Sequence, residues 1–496
     1  MTVWPRRMFL AMAGTGLALA ELGMAPAGAV RRSYRAGGAL PVLELNQPEV
    51  ARAYESALTN VVGINTVYAD PATYDRAGLL RYPPGTFVRA GSGYPEPQRW
   101  TRDCAVNAWN AASLLNPLVG GNTLMAVVDD RIVQQDNQWW DQVVWIIAAC
   151  HHYLVTGEFL GEAHEISVHT LAAREANFNA SRGLFEGPSF MNDGIAGYPS
   201  PPWRPGVRSS FVLDYPGADR LMCLSTNCLY HGAFLAVAAM AEALGRPADG
   251  FRRRAAELRR AINQNLWRGN TYGYFVTPDG RVDPTQESAG LAFAIMLGVA
   301  SAEQTRQILD GAHWEPRGIP TSRPHFPRFG DDRPGRHNVS VWPVVHSMFG
   351  HAAALGGRTD LFGRAVTDLA RLGFFELYNA RTGAVDGGWQ TDGSGEQTHW
   401  RSEPDQAWSA SGYLRMIYSG LFGFAFGGDG LTFAPTLPPG WGPASLFGVP
   451  YRDATFDITL TGAGSRVTAC TIDGRPIRRI DPTATGHHTV RIALEP

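Results

Sequence analysis

The feature that most constrains this fold is a repeated alternation of helical stretches and long loops between residues 43 and 424. Apolar residues recur at three- and four-residue spacing, which predicts amphipathic helices. These predicted helices span 142–155, 162–177, 225–244, 250–266, 289–299, 302–312, 341–355 and 361–372. The intervening loops are rich in Gly, Pro, Trp and Asp. Loops of such length are uncommon in compact domains unless they carry function.

About twelve helices with their long loops on one face predict a mainly α protein, an (α/α)6 toroid of six helical hairpins. The barrel is expected over residues 40–426. Two other architectures stay open. A helical solenoid would require a fixed-period repeat, and none is visible. A bundle around a cofactor would require a ligand motif, and none is visible either.

The pattern changes after Gly427. Segments 455–460, 466–472 and 488–494 alternate polar and apolar residues and are rich in β-branched side chains. Turns containing Gly, Asp and Pro separate them, as is typical of short strands. We therefore predict a small antiparallel β module over residues 427–496.

The first 29 residues resemble an export signal. Arg6 and Arg7 precede an apolar run at 11–20, and small residues at 27–29 suit cleavage by a signal peptidase. The alternative is an anchor helix, but Glu21 ends the run short of the roughly 20 residues that span a bilayer. We predict twin-arginine export, a periplasmic or extracellular location and no stable membrane anchor after cleavage.

The net charge and the cysteine content limit the kinds of molecule that this protein is expected to bind. The net charge is −2, without the excess of basic residues that nucleic acid binding requires. The five cysteines show no metal-binding spacing, so we predict mostly buried thiols, no metal and no organic cofactor. The 14 tryptophans suit stacking on sugar faces, although most tryptophans in a helical protein of this size are core residues.

The first candidate site motif opens a predicted helix. Trp100 precedes Arg102 and Asp103, a pair that would be able to present a guanidinium fork and a carboxylate to sugar hydroxyls. An ordinary helix N-terminus with a surface arginine is the alternative. Asp141 begins the next helical run and is either a second binding carboxylate or an N-cap.

The second motif is a loop over residues 183–199 that is dense in glycine and aromatic residues. Asp193 stands between Asn192 and Gly194, where aromatic shielding would raise the pKa of its carboxyl towards the range of a general acid. The alternative is a simple Asn-Asp-Gly turn.

The third and fourth motifs lie near the end of the helical part. Glu376 follows an apolar pair and is either a base that deprotonates water or a helix-end residue in a salt bridge. Gln406 and Trp408 open a strongly apolar helix. Glu396 and Glu403 precede that helix and are alternative bases.

Taken in order, these segments resemble the six-hairpin glycosidase superfamily, which includes glucoamylases, trehalases, cellobiose phosphorylases and the mannosylglycerate-hydrolase/processing-glucosidase family. Trp100-x-Arg102-Asp103 resembles a sugar-binding motif of glucoamylases. Asn192-Asp193-Gly194 is similar to a loop of cellobiose phosphorylases. Glu376 with Thr382-Gly383 resembles the Glu-Tyr-x-x-Pro-x-Thr-Gly of the hydrolases.

Two further stretches, 338–343 and 405–410, resemble the segments that precede inner barrel helices in this superfamily. The likeness spans roughly residues 45 to 425. This chain departs from the pattern at Met191, where phosphorylases have Trp, and at Ala380, where the hydrolases have Pro.

The resemblance implies an inverting glycoside hydrolase that needs no cofactor and acts on a carbohydrate. Asp193 would be the general acid and Glu376 the general base. The residues implied in substrate binding are Trp100, Arg102, Asp103, Asp141, Asn192, Trp342, Gln406 and Trp408. A phosphorylase of the same fold and a non-catalytic carbohydrate-binding protein are the alternatives.

Overall fold

The computed structural model describes residues 40–495 except 71, 73–77, 79–84, 95–96, 135–137, 200–210, 327–328, 330–334, 386–387 and 392–396. The predicted export signal therefore lies outside the described residues. The described part contains twelve α-helices of seven or more residues: α1 Pro48–Leu58, α2 Thr101–Asn107, α3 Pro117–Met125, α4 Gln142–Thr156, α5 Leu160–Arg174, α6 Leu224–Ala243, α7 Asp249–Leu266, α8 Ser288–Met296, α9 Ala302–Gly311, α10 Pro343–Leu355, α11 Thr359–Leu372 and α12 Ala407–Arg415. The predicted mainly α fold is confirmed.

The even-numbered helices contact one another in cyclic order. Helix α2 packs against α4, α4 against α6, α6 against α8, α8 against α10, α10 against α12, and α12 against α2. Odd-numbered helices pack on this set: α3 on α4, α5 on α4 and α6, α7 on α6, α11 on α10, and α1 on α11 and α12.

Hydrophobic patterning explains which helices are central. Helix α6 is apolar on nearly all sides and almost entirely buried, as expected of a helix surrounded by others. Helix α11 buries only Phe362, Ala365, Val366 and Leu369, one stripe at three- and four-residue spacing. By length and composition alone, α6 is the one helix in the described ranges that is suited to cross a membrane, and its apolar window is 89% buried inside the protein.

A six-stranded sheet follows the helices. Its strands are β1 Val42–Glu44, β2 Ala444–Tyr451, β3 Ala454–Gly462, β4 Arg466–Ile472, β5 Arg475–Pro476 and β6 Gly486–Glu495, in the order β1-β2-β3-β6-β4-β5. The predicted C-terminal antiparallel sheet is present, with two differences. Strands β3 and β6 pair in parallel, because β4 and β5 intervene in sequence and lie on the far side of β6. Edge strand β1 comes from the N-terminal end of the described chain.

Short antiparallel strand pairs fasten the loops. They are Thr66–Tyr68 with Thr86–Val88, Val128–Asp129 with Ile132–Val133, Phe178–Asn179 with Leu184–Phe185, Met222–Cys223 with Phe275–Val276, Gln286–Glu287 with Ser322–Arg323, Ser340–Val341 with Tyr378–Asn379, Gly388–Thr391 with Gln397–Trp400, and Phe424–Gly427 with Gly430–Phe433. Three of these pairs lie just before α6, α8 and α10 in the chain, and so fix where those helices begin.

The cysteines are as predicted. Cys104, Cys150, Cys223 and Cys228 are buried free thiols, and Cys470 is a partly buried one. Because all five cysteines are free thiols, no disulfide crosslink among them stabilises the fold.

Candidate active site

The predicted site residues gather at the N-terminal ends of the even-numbered helices. Arg102 and Asp103 lie in the first turn of α2, and Asp141 immediately precedes α4. Trp342 precedes α10, and Gln406 precedes α12. Since these helices are neighbours in the cyclic set, their first turns bring together residues that are distant in sequence.

Hydrogen bonds from the first turn of α6 hold the loop that carries Asp193. The backbone N–H of Phe190 donates to Ser225 Oγ at 2.9 Å, and the Thr226 hydroxyl donates to the Pro188 carbonyl at 2.5 Å. The Asp193 carbonyl accepts from the Val212 N–H at 2.7 Å. The loop is therefore fixed on both sides of Asp193.

Three donors surround the Asp193 carboxylate. Arg102 Nη2 lies 3.2 Å and Gln138 Nε2 3.1 Å from Asp193 Oδ2. His337 Nε2 lies 2.7 Å from Asp193 Oδ1. The His337 ring is fully buried and stacks on Trp342 with ring centroids 5.0 Å apart.

This environment overturns the expected pKa of Asp193. Burial is the largest single cause and raises the pKa of the carboxyl, as the aromatic loop suggested, but Arg102, His337 and Arg336 together outweigh it. The resulting pKa of Asp193 lies well below its usual value. No local sequence feature indicated this, because Arg102, His337 and Arg336 come from other segments of the chain.

Asp103 has the opposite shift. Burial, opposed by Arg102 and reinforced by Asp141, Glu376 and Asp193, raises the pKa of Asp103 to about 8. Arg102 lies between the carboxylates, with Nε 3.7 Å from Asp141 Oδ2. One guanidinium thus faces three carboxyl groups, and the most crowded of them retains its proton at neutral pH.

Glu376 is 1% exposed and accepts from Arg336 Nη2 at 2.9 Å. Its backbone N–H donates to the Glu403 carbonyl at 2.9 Å, which ties two of the three predicted base candidates together. Glu403 is the more exposed residue, and burial followed by the charge of Glu376 raises the pKa of its side chain. Glu396, the other candidate base, lies outside the described residues.

Backbone hydrogen bonds join three segments around Glu376. The Gln406 N–H donates to the Phe374 carbonyl at 2.8 Å, and Gly91 forms an isolated bridge with Gln406. The Gln406 side chain donates to the Tyr94 hydroxyl, so Tyr94 faces the same carboxylates. Burial, Glu376 and Asp103 all raise the pKa of Tyr94.

Aromatic side chains line the same region. The rings of Trp342 and Trp408 meet edge to face with centroids 5.8 Å apart, and the Arg102 guanidinium lies 5.6 Å from the Trp408 ring. Trp100 is 40% exposed and contacts Tyr94, with ring centroids 4.8 Å apart. The aromatic residues therefore extend from the buried carboxylates to the surface.

Asn192 directly precedes Asp193 in the same loop, and its N–H groups donate hydrogen bonds to neighbouring residues. Its side-chain amide donates to the Tyr274 hydroxyl at 2.6 Å, and its backbone N–H donates to Ser189 Oγ at 3.1 Å. These contacts give Asn192 a role in holding the loop, while its predicted contact with substrate stays a prediction.

Four residues of this cluster were not predicted, namely Tyr94, Gln138, Arg336 and His337. Arg336 and His337 directly precede the Asn338–Pro343 stretch, so their position was the available signal. Nothing in the local sequence of Tyr94 or Gln138 marks them. Among the residues that the structure describes, no group of three His, Cys, Asp or Glu side chains is arranged to hold a metal ion.

Two protein-family models match separate parts of the chain. Residues 208–409 match the protein-family model of the mannosylglycerate hydrolase MGH1-like glycoside hydrolase domain. Residues 424–478 match the C-terminal domain of glycosyl hydrolase family 65. A search of curated proteins finds no match.

Solved structures share the fold at low sequence identity. A sialidase superposes with a TM-score of 0.60 at 14% identity over 83% of this chain, which spans only 37% of that protein. The GH63 mannosylglycerate hydrolase from Thermus thermophilus in complex with glucose superposes with a TM-score of 0.52 at 17% identity, covering 74% of this chain and 99% of that one. The same enzyme in complex with Tris and D-glycerate gives a TM-score of 0.50 at 18% identity, covering 70% and 100%.

These findings confirm the likeness to the six-hairpin glycosidases that the motifs indicated: residues 208–409 match a glycoside hydrolase domain model, and the GH63 mannosylglycerate hydrolase shares the fold.

Proposed function

We propose that this protein hydrolyses a glycosidic bond with inversion, with Asp193 as general acid and Glu376 as general base. One observation carries the proposal. Arg336 donates to Glu376, and its charge also lowers the pKa of Asp193, so the two carboxylates share one buried polar cluster. In the reaction, Asp193 protonates the leaving oxygen while Glu376 removes a proton from the water that attacks the anomeric carbon from the opposite face.

Unpaired polar atoms support a carbohydrate substrate. Asp103 Oδ1, Gln406 Oε1 and Trp408 Nε1 are buried and have no hydrogen-bond partner among the described residues. Buried polar groups are nearly always paired in native proteins. Sugar hydroxyls both donate and accept, so a bound sugar would satisfy this mixture of acceptors and a donor.

The low pKa of Asp193 makes a second proton donor worth testing. A general acid must carry a proton at the working pH. Asp193 does so only if a bound substrate weakens its contacts with Arg102 or His337. Asp103, with a pKa of about 8, already carries a proton and is the alternative acid.

Leaving-group chemistry separates these roles. Turnover would be measured on an unactivated glycoside and on a dinitrophenyl glycoside, whose leaving group needs no proton. We expect Asp193→Asn to lower turnover of the unactivated substrate by roughly 10²–10⁴ while largely sparing the activated one. Glu376→Gln should impair both. If Asp103→Asn shows the acid pattern and Asp193→Asn does not, the acid is Asp103.

Product analysis tests the reaction itself. A panel of aryl glycosides and oligosaccharides would be digested, and NMR would record the anomer that forms first. Inversion is expected, and a retained anomer would contradict the proposed pair of roles. Adding inorganic phosphate tests the phosphorylase alternative, because a phosphorylase would release a sugar 1-phosphate. Absence of turnover with binding intact would favour a carbohydrate-binding protein.

We also propose that the helices form an (α/α)6 toroid, with the odd-numbered helices outside the ring of even-numbered ones. The cyclic contacts of the even-numbered helices support this arrangement. The proposed barrel corresponds to residues 40–426, apart from strand β1, which joins the sheet, and the proposed C-terminal module corresponds to residues 427–496. A crystal structure with α2 and α12 separated would contradict the closed ring.

The export signal over residues 1–29 is likewise a proposal. It is supported by Arg6 and Arg7, the apolar run that follows and the small residues up to Ala29. Mass spectrometry of protein from its native host is expected to find a chain that begins near Val30. A chain that begins at Met1 and stays in the cytosol would contradict export.

A further inference from the structure

A second buried polar cluster surrounds Arg415 at the end of α12, outside the carboxylate site. Arg415 is 2% exposed. Its Nε donates to His351 Nδ1 at 3.0 Å, and its Nη1 donates to Asn110 Oδ1 at 3.2 Å. The guanidinium also lies over the Trp109 ring, 4.2 Å from the ring centroid. Each of these partners is uncharged.

The charge of Arg415 is not compensated by a carboxylate in the described part of the chain. No ion pair among the described residues involves it, and burial is the one cause that lowers its pKa, to about 9. Arg415 therefore stays protonated at neutral pH. Buried charges in proteins are ordinarily paired, since an unpaired ion in a low-dielectric interior is strongly disfavoured.

The neighbouring imidazole rings add no further positive charge and do not balance that of Arg415. Burial, reinforced by the charge of Arg415, lowers the pKa of His151 to about 3 and that of His351 well below its usual value. Both rings are neutral at physiological pH. The cluster therefore holds one positive charge.

The backbone is irregular on both helices that face this charge. Asn110 lies in the π-helical segment Ala108–Ala112 that continues α2. Arg415 directly precedes another π-helical segment, Met416–Leu421. Single π-helical turns within helices occur frequently at functional sites. Two such segments beside one guanidinium point to a binding role.

We propose that the Arg415 guanidinium binds a small monovalent anion of the halide class, such as chloride. A single negative charge matches the one positive charge of the cluster. Arginine has five N–H donors, and its hydrogen bonds to described residues engage only Nε and Nη1. The site begins about 12 Å along α12 from Ala407, at 1.5 Å per residue, and is therefore separate from the proposed sugar site.

Thermal unfolding tests the proposal in the whole protein. Tm would be measured in sodium chloride, bromide and gluconate at constant ionic strength, because gluconate is too large for a buried site. A ligand that binds only the native state raises Tm with its concentration. We expect chloride and bromide to raise Tm by a few degrees relative to gluconate, with saturation.

Two variants separate a bound halide from a general salt effect. Arg415→Met should lose the halide-dependent rise. Arg254→Met is the matched control, because Arg254 also stacks on an aromatic ring, Phe178, but is paired with Glu175 at 2.9 Å. It should keep the rise. An equal rise in wild type and Arg415→Met would overturn the proposal.

Crystals soaked in bromide give an answer even if Arg415→Met does not fold. An anomalous bromide peak in contact with the wild-type guanidinium is expected. Absence of that peak, or peaks confined to the surface, would overturn the proposal. Neither measurement depends on glycosidase activity, so a failed halide site and a failed enzyme assignment are distinguishable.

Discussion

Individual carboxyl groups in the candidate site have opposite electrostatic surroundings although they are neighbours. Asp193 lies beside Arg102 and 2.7 Å from His337 Nε2, and the charge of Arg336 also lowers its pKa, whereas Asp103 shares Arg102 with Asp141 and Asp193. Burial is the largest cause at both carboxyls and raises both pKa values, so the charged and hydrogen-bonding groups around each one determine which of them keeps a proton.

The raised pKa of Asp103 predicts a pH-dependent stability. Between pH 4 and 8 the unfolded chain has lost this proton while the folded chain retains it. The unfolded state then binds fewer protons, so the free energy of unfolding falls as pH rises. Asp103→Asn has no proton to lose. We expect the stability of the variant relative to wild type to increase by a few kcal/mol from pH 4 to pH 8 and then to level off. Urea unfolding at pH 5 and pH 8.5 measures this, and a constant difference would contradict the assignment.

Gly194 makes room for the contact between His337 and Asp193. A Cβ at residue 194 would lie 2.1 Å from His337 Nδ1, whereas the backbone there has φ −98°, which alanine tolerates. We expect Gly194→Ala to displace the imidazole and to raise the pKa of Asp193, because the carboxylate loses one of the groups that stabilise its charged form. The pH profile of kcat/KM would record the pKa change.

Gly161 provides the control for that substitution. It lies in α5, and no atom comes within 4 Å of the position that an added methyl group would take. Gly161→Ala should therefore leave activity unchanged and stabilise the helix by up to about 1 kcal/mol. Equal effects of the two substitutions would exclude a specific role for the space at Gly194.

At the scale of elements, the first turn of α6 connects a buried acid to the loop that carries Asp193. Glu287 Oε2 accepts from the Ser225 N–H at 3.0 Å, and Ser225 Oγ accepts from the Phe190 N–H, three residues before Asp193. Burial raises the pKa of Glu287 to about 7. A partly protonated acid at a helix N-terminus thus supports the loop that carries Asp193.

This connection predicts different effects of two substitutions. Glu287→Ala leaves the Ser225 N–H without its acceptor and should destabilise the protein by about 1–3 kcal/mol or more, with a fall in kcat as the loop loosens. Glu287→Gln keeps an acceptor oxygen and should be milder in both respects. Denaturant unfolding and steady-state kinetics would measure the pair. A glutamine variant as damaged as the alanine variant would argue that the charge itself matters.

Helix boundaries were predictable at this scale, and short strands were not. The predicted helix 250–266 corresponds to Asp249–Leu266, and 302–312 to Ala302–Gly311. Apolar periodicity and terminal glycines are local features of the sequence, and they therefore predict where helices begin and end. The two-residue strands, such as Ser340–Val341 with Tyr378–Asn379, depend on a partner far away in sequence.

At the scale of the whole molecule, helices and sheet share one hydrophobic core. A single cluster of buried residues contains Trp145 and Val345 from the helices together with Leu446 and Ile458 from the sheet. Thr436 in the connection donates to the Ala354 carbonyl of α10 at 3.1 Å. The sheet is therefore part of the folded unit.

A shared core predicts cooperative unfolding. Calorimetry of residues 40–496 should show one transition, and a chain ending at residue 426 should lose its near-ultraviolet circular dichroism, because buried helix surfaces would be exposed to water. A truncated chain that keeps a native near-ultraviolet spectrum and melts cooperatively would show that the helices fold without the sheet.

The sequence by itself determined the helical class, the C-terminal strands and the candidate carboxylates Asp193 and Glu376, because periodicity and ordered motifs are written along the chain. The tertiary structure alone determined which residues contact those carboxylates and in which direction the pKa of Asp193 is shifted. His337 reaches Asp193 from 144 residues away, Arg336 pairs with Glu376, and β1 crosses from the N-terminal end to the edge of the sheet. Burial and charge-pairing energies depend on distances in space, and those distances follow from the packing of all the helices together.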